Sequence, residues 1–238
     1  MCYYIHTNGV DIVKKVLITG TSRGIGNVIA NYFLEKDYHV ILTYHNSINK
    51  INHKNVDNYY LDLSNEQSII DLANNIKNKY GHIDILINNA AISRDNYYLD
   101  KTKKEFMEVL ETNLVGTFLM IKYFDNIVNG YIFNISSTDG IDTGSIYSLD
   151  YNASKAGINI LTQNIAMISN NKIISICPNW VDVDSTKEMD QEYLKEELKR
   201  IKQDKLIDPI TIPKVIDKCI NDNIKSGSII RIDGDINE

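Results

Sequence analysis

Val16-Leu17-Ile18-Thr19-Gly20-Thr21-Ser22-Arg23-Gly24-Ile25-Gly26-Asn27-Val28-Ile29-Ala30-Asn31-Tyr32-Phe33-Leu34 is the stretch on which the reading of this chain turns. Three apolar residues run straight into a glycine-rich turn, and apolar residues then recur at helical spacing. Strand, glycine turn and helix together form a cradle for the pyrophosphate of a dinucleotide. Glycines let the backbone turn sharply and approach the phosphates, and the helix N-terminus offers unpaired N–H groups to the anion. The spacing is Gly-x3-Gly-x-Gly, not the Gly-x-Gly-x2-Gly of the long-chain fingerprint.

Working outward, the first strand occupies 13–18, and further buried-type strands are expected at 40–44, 58–63, 83–88, 130–135, 173–177 and 228–232. Helix-length segments separate most of them, notably 103–125 and 153–168, and Ser64 is the expected N-cap of the helix that follows the third strand. Apolar, β-branched strands alternating with helices specify an α/β fold, a doubly wound seven-stranded parallel sheet covered on both faces. With 238 residues the chain makes one sizeable catalytic domain, 13–238, preceded by an extension, 1–12, that is either a flexible arm or sequence upstream of the natural start. A net charge of −6 argues against nucleic acid or an anionic membrane as a partner. No apolar run approaches the roughly 20 residues needed to span a bilayer. Residues 1–8 lack the basic start and apolar core of a secretory signal. Cys2, Cys177 and Cys219 are odd in number and lack metal-ligand spacing, so no metal site is expected and the cytoplasm is the expected compartment.

Tyr151-Asn152-Ala153-Ser154-Lys155 carries the chemistry. On a helix, residues four apart share a face, which sets Tyr151 beside Lys155. A phenol with a pKa near 10 exchanges its proton poorly at neutral pH, and a neighbouring ammonium pulls that value down. Such a tyrosine serves as general acid toward a carbonyl oxygen, or as base in reverse. Ser136 and Ser137 end the fifth strand, at the sheet edge where open α/β folds bind their ligands. Asn88-Asn89-Ala90-Ala91 ends the fourth with small residues that admit a cofactor closely.

Taken in order, Thr19-Gly20-x3-Gly24-x-Gly26, Asn88-Asn89-Ala90, Asn113, a strand-end serine and Tyr151-x3-Lys155 resemble the classical short-chain dehydrogenase/reductases over nearly all of residues 13–235. The resemblance implies Tyr151 as catalytic acid/base and Lys155 as the group that lowers its pKa and holds the nicotinamide ribose. It implies Ser137 as the orienting serine, chosen over Ser136 because it stands three residues before Gly140, and Asn113 as support for a proton-relaying water. Cofactor contacts are implied at Gly20, Ser22, Arg23, Gly24, Ile25 and Gly26, at Tyr44, His45, Asn46 and Ser47 beyond the second strand, and at Asp62 and Leu63 after the third. Asn89, Ala90, Ala91, Pro178, Asn179 and Val181 complete the set together with Tyr151 and Lys155. The second strand ends without a carboxylate and Arg23 resembles the basic residue that grips a 2′-phosphate, so NADPH/NADP+ is expected rather than NAD.

The segment from Asn88 to Asn113 is very similar to 3-oxoacyl-carrier-protein reductases, which makes a 3-oxoacyl thioester the first substrate expectation. The basic patch on which those enzymes dock their acidic carrier is absent: Asp125–Gly130 has no cation, and Lys172 is the only one in 169–172. A small ketone or a free thioester therefore stands beside the carrier-bound one. Other departures are Asn179, where glycine is usual and asparagine tolerates left-handed backbone; Val183, where a hydroxyl is usual and Ser185 or Thr186 stands in; and Asp235 in the last turn, which leaves homodimer and homotetramer both open. A lid is expected at 184–206, its Glu192, Glu196, Glu197, Lys195, Lys199 and Arg200 forming a solvated helix face. The alternatives are a hydroxysteroid or sugar/polyol dehydrogenase of the same family, and a dinucleotide-binding sensor without turnover.

Overall fold

The computed structural model describes residues 13–235; the expected extension at 1–12 lies outside the described residues. Seven strands form one sheet: β1 (Lys15–Ile18), β2 (His39–Tyr44), β3 (Val56–Tyr60), β4 (Ile83–Asn88), β5 (Val128–Ile135), β6 (Lys172–Pro178) and β7 (Ile229–Ile232). Their order is β3-β2-β1-β4-β5-β6-β7 and every neighbouring pair is parallel. The helices are α1 (Gly24–Glu35), α2 (Glu66–Tyr80), α3 (Lys103–Leu110), α4 (Gly116–Phe124), α5 (Leu149–Ile165), α6 (Asp184–Lys187), α7 (Gln191–Arg200) and α8 (Thr211–Asn221).

Successive strand side chains point to opposite faces, so each strand feeds two cores. Val16 and Ile18 of β1 meet Ile29 and Phe33 of α1 and Ile212 and Ile216 of α8. Leu17 meets the other layer, with Ile69, Leu72 and Ile76 of α2 and Met120 and Phe124 of α4. Burial on both faces explains why β1 and β2 read as unbroken apolar runs. Between β1 and β4 the winding of the chain reverses, and the crevice that opens there at the carboxyl ends of the strands is where such sheets take their ligands.

Several local expectations are corrected. The third strand spans 56–60 rather than 58–63, because Asp62 leaves it for a tight turn in which its carboxylate accepts both the N–H (2.9 Å) and the hydroxyl (2.7 Å) of Ser64. Ser64 is thereby engaged, and Asn65 caps α2 instead, accepting from Gln67 N (3.0 Å) and Ser68 N (3.4 Å). The helix at 103–125 is broken by a π-helical turn, Glu111–Val115. A single inserted residue of this kind leaves the apolar periodicity almost unchanged and so is hidden from pattern reading. The helix expected at 153–168 is α5, four residues earlier at its start, so Tyr151 lies inside its first turn.

At the opposite edge of the sheet from the ligand crevice, Asp57 on β3 gathers three donors. Lys79 (2.7 Å) and Tyr80 come from the end of α2, and His39 Nε2 on β2 lies at 2.7 Å. Burial alone would raise the carboxyl's pKa, but the bonds from Lys79, Tyr80 and His39 overcome it and hold the group at about 2. A carboxyl with a depressed folded-state pKa contributes stability above its unfolded value of 3.8 and loses it as pH falls toward 2. Asp57→Asn should therefore cost about 1–2 kcal/mol at pH 7, after discounting for its partial exposure. Urea melts of both proteins are expected to converge between pH 4 and pH 2.

Candidate active site

Gly20 and Gly26 shape the crevice. Gly20 has φ 69°, and a Cβ there would stand 2.8 Å from Cα and Cβ of Ala90; a Cβ on Gly26 would stand 2.3 Å from the Gly20 carbonyl. Only glycine lets the turn after β1 lie this close to the end of β4. Thr19 fastens the two, its Oγ1 accepting from the N–H groups of Asn89 (2.9 Å) and Ala90 (3.0 Å). Asn89 returns the tie, its side-chain amide donating to the carbonyls of Thr19 (2.9 Å) and Gly20 (3.1 Å). Asn49, which sequence reading did not single out, is a buried residue of the loop after β2: its amide donates to the Thr21 carbonyl and its Oδ1 accepts from Ile51 N (2.7 Å). The pairing of Asn49 with a carbonyl 28 residues away leaves no local signal.

A cleft of about 650 Å³ runs from this turn across the sheet edge. Of the expected cofactor residues, Gly20, Ser22, Arg23, Gly24, Ile25 and Gly26 line its first part, and Asn89, Ala90 and Ala91 its middle. Pro178, Asn179 and Val181 line the far wall, with Ser137, Tyr151 and Lys155 facing them. Tyr44, His45, Asn46, Ser47, Asp62 and Leu63 are not part of this lining. They lie at the ends of β2 and β3, where the rings of Tyr44 and His45 pack on Tyr60 (6.1 and 5.8 Å between centroids) and His45 Nε2 is 3.9 Å from Asp62.

Ser136 and Ser137 part company at the end of β5. Ser136 is buried and donates to the Lys155 carbonyl (3.0 Å). Ser137 faces the cleft, lines it together with Tyr151 and accepts from Asp139 N (3.1 Å). Lys155 donates to the Ile135 carbonyl (2.8 Å) and lies 5.2 Å from the centre of the Tyr151 ring. Loss of hydration pushes the Tyr151 phenol above its usual value, the nearby Asp139 charge adds to this, and the Ser137 hydroxyl works against it. The same loss of hydration brings Lys155 down to about 8. In the free protein the phenol thus stands above its ordinary value, because enclosure dominates.

Asn113 stands in the π turn, fully buried, outside the cleft lining. Its Oδ1 accepts from Ile92 N (2.8 Å), and its amide donates to Ile92 O (2.9 Å) and Ser154 Oγ (3.2 Å). The side chain therefore clamps the segment after β4 against α5, on the turn between Tyr151 and Lys155. Asn179 differs from expectation: it is not among the positive-φ residues, and its side chain serves instead as acceptor for Thr138 Oγ1 (3.0 Å). Thr186 is occupied within its own loop, accepting from Val183 N (3.0 Å) with its hydroxyl 2.7 Å from the Val183 carbonyl. Ser185 and Thr186 both line the cleft.

The segment expected as a lid holds α6 and α7. Glu192, Lys195, Glu196 and Lys199 are solvent-exposed as expected, but Glu197 is buried. It takes a bidentate contact from Arg200 (3.1 and 2.7 Å), whose other bond reaches the Thr143 carbonyl (2.6 Å). Tyr193 lines the cleft and meets Tyr147 edge-on at 6.0 Å. The inner face of α7 thus closes on the segment after β5.

The family model for short chain dehydrogenase matches residues 14–194. The 3-oxoacyl-[acyl-carrier-protein] reductase FabG of Staphylococcus aureus is 27% identical over 241 residues, covering 94% of this chain and 98% of its own length. That of Vibrio cholerae is 30% identical over 218 residues, covering 85% and 88%. Among solved structures, a dehydrogenase/reductase from Sinorhizobium meliloti superimposes with a TM-score of 0.82 at 22% identity, covering 92% of this chain and 93% of that one. ElxO with NADP bound has a TM-score of 0.76 at 27% identity, covering 93% and 97%. With the glycine turn, the tyrosine–lysine pair and the all-parallel sheet in the family's order, this chain belongs to the short-chain dehydrogenase family and is an NAD(P)-dependent oxidoreductase.

Proposed function

We propose that this protein reduces a ketone to a secondary alcohol with NADPH, Tyr151 giving its proton to the substrate oxygen. The observation that carries this reading is the meeting of Tyr151, Ser137 and Lys155 in one cleft with the glycine turn. At Gly20 and Gly26 any side chain would strike Ala90 or the Gly20 carbonyl, so the glycines keep the turn tight enough for the N-terminus of α1 to face a dinucleotide pyrophosphate. NADPH, when bound, supplies the hydride. Ser137 holds the carbonyl oxygen toward the phenol, and Tyr151, protonated through neutral pH, donates to it as negative charge develops. Lys155 stabilises the phenolate that remains. The Asn113 side chain, engaged with Ile92 and Ser154, braces α5 on the turn between Tyr151 and Lys155.

The NADPH preference is supported by exposed Arg23 at the start of α1, by the absence of a carboxylate after β2 and by the NADP-bound ElxO relative. For the substrate, the curated relatives support a 3-oxoacyl thioester. Lys172 is occupied by the Asn223 and Ile224 carbonyls, which favours a free thioester over a carrier-bound one. A sugar or polyol is the second reading, favoured by Asp139, Ser145, Tyr193 and Glu197 at the substrate end of the cleft. A homodimer or homotetramer is supported by exposed Met107, Val115, Phe118 and Ile160 along α3–α5. The cytoplasm remains the proposed compartment, supported by the free thiols of Cys177 and Cys219.

The test is NADPH oxidation, followed by nicotinamide absorbance, with acetoacetyl-CoA and with dihydroxyacetone. Tyr151→Phe is expected to lower kcat by at least about 100-fold, the scale of general acid catalysis, while NADPH still binds. Turnover by the variant at the wild-type rate would sink the proton-donor role. Arg23→Ser is expected to raise the Kd for NADPH about tenfold and leave that for NADH unchanged, as removal of one charge-assisted phosphate contact requires. Lys155 is protonated below about 8 and neutral above; kcat/KM for reduction should therefore fall as pH rises through that value. Lys155→Arg, charged throughout, should move that limb upward.

A further inference from the structure

Lys101 and Asp150 form an ion pair of 3.0 Å whose side chains are 4% and 0% exposed, 49 residues apart in sequence. We propose that this pair is a positioning element for Tyr151, locking the loop after β4 onto the first turn of α5; the proposal rests on the reading of Tyr151 as proton donor.

A sealed ion pair contributes little net stability, because removing two charges from water costs about as much as their attraction returns. What it does provide here is geometry. One Asp150 oxygen takes the Lys101 ammonium, and the other accepts the backbone N–H of Tyr151 at 2.9 Å. Lys101 in turn donates to the Arg94 carbonyl, in the segment Ile92–Asp95 that lines the cleft. The pair therefore joins a wall of the substrate compartment directly to the residue carrying the transferable proton. Two weaker ties run beside it: Ser148 Oγ to Asp95 (2.7 Å) and Asn96 N to the Tyr147 carbonyl (2.9 Å). Each has one exposed partner, Asp95 or Tyr147, where water competes, while the Lys101 and Asp150 side chains are sealed from it. Asp150 also sits in the first turn of α5, where negative charge suits the helix N-terminus, and Lys101 balances that charge one residue from the phenol.

Four proteins test this: Lys101→Met, Lys101→Arg, the double variant Lys101→Met/Asp150→Asn, and Tyr151→Phe as control. The readouts are kcat and KM on whichever of acetoacetyl-CoA and dihydroxyacetone the wild type reduces, the Kd of NADPH by fluorescence, and amide hydrogen exchange. Lys101→Met is expected to lower kcat by about 10- to 100-fold, the cost of misplacing a reacting group by an ångström, with NADPH affinity and KM within about twofold. Exchange should quicken at 92–101 and 146–155 and stay unchanged in the strands. Lys101→Arg should restore kcat to within about threefold, and the double variant should recover most of the loss, since no charge is left buried alone. Thermal destabilisation by Lys101→Met without a change in kcat, or unchanged exchange at 146–155, would overturn the proposal. The exchange result decides it even where neither ketone is reduced. Full activity in Tyr151→Phe would instead remove the proton-donor reading, whatever the Lys101 variants do.

Discussion

The close passage of the turn after β1 against the end of β4 is the constraint from which the rest of the site follows. Gly20 lies where a Cβ would collide with Ala90, and Thr19 and Asn89 exchange hydrogen bonds across the contact. Were the two strand ends further apart, the N-terminus of α1 would not face the same crevice as β5 and α5. The parallel order of the sheet brings all the strand carboxyl ends to one edge, and this contact decides that they surround a single cleft.

Within that cleft, enclosure acts in opposite directions on two neighbouring groups. A phenol shielded from water holds its proton tightly, and an ammonium in the same surroundings holds its own less tightly. Below about pH 8 the two groups therefore stand side by side as a protonated phenol and an ammonium. Asp139 strengthens the first tendency, and the Ser137 hydroxyl moderates it. The supporting parts are remote in sequence. Asn113 reaches from a π turn to Ile92 and Ser154, and Arg200 reaches from α7 to Thr143.

Much of this was legible in the residues. Val16-Leu17-Ile18 followed by the glycine turn placed β1 and α1, and the four-residue spacing of Tyr151 and Lys155 placed both on one helical face. The fourth strand matched its expected bounds at both ends. The less legible parts share a cause. At Asp62, Ser64 and Asn65 three polar side chains compete for one set of backbone groups, and only the geometry of the turn decides which becomes the cap. The buried state of Glu197 was missed because charge patterning cannot tell which face of a short helix will be covered.

By itself, the sequence determined the alternation of strands and helices, the glycine turn, the spacing of the tyrosine and lysine and hence the family, because these are written in short periods of two, three or four residues. The tertiary structure alone decided that Asn49 and Asn113 act as clamps, that Glu197 is covered, and that Lys101 meets Asp150 out of reach of water. Those assignments depend on which distant groups are left as the nearest partners once solvent is excluded, and no local pattern encodes that.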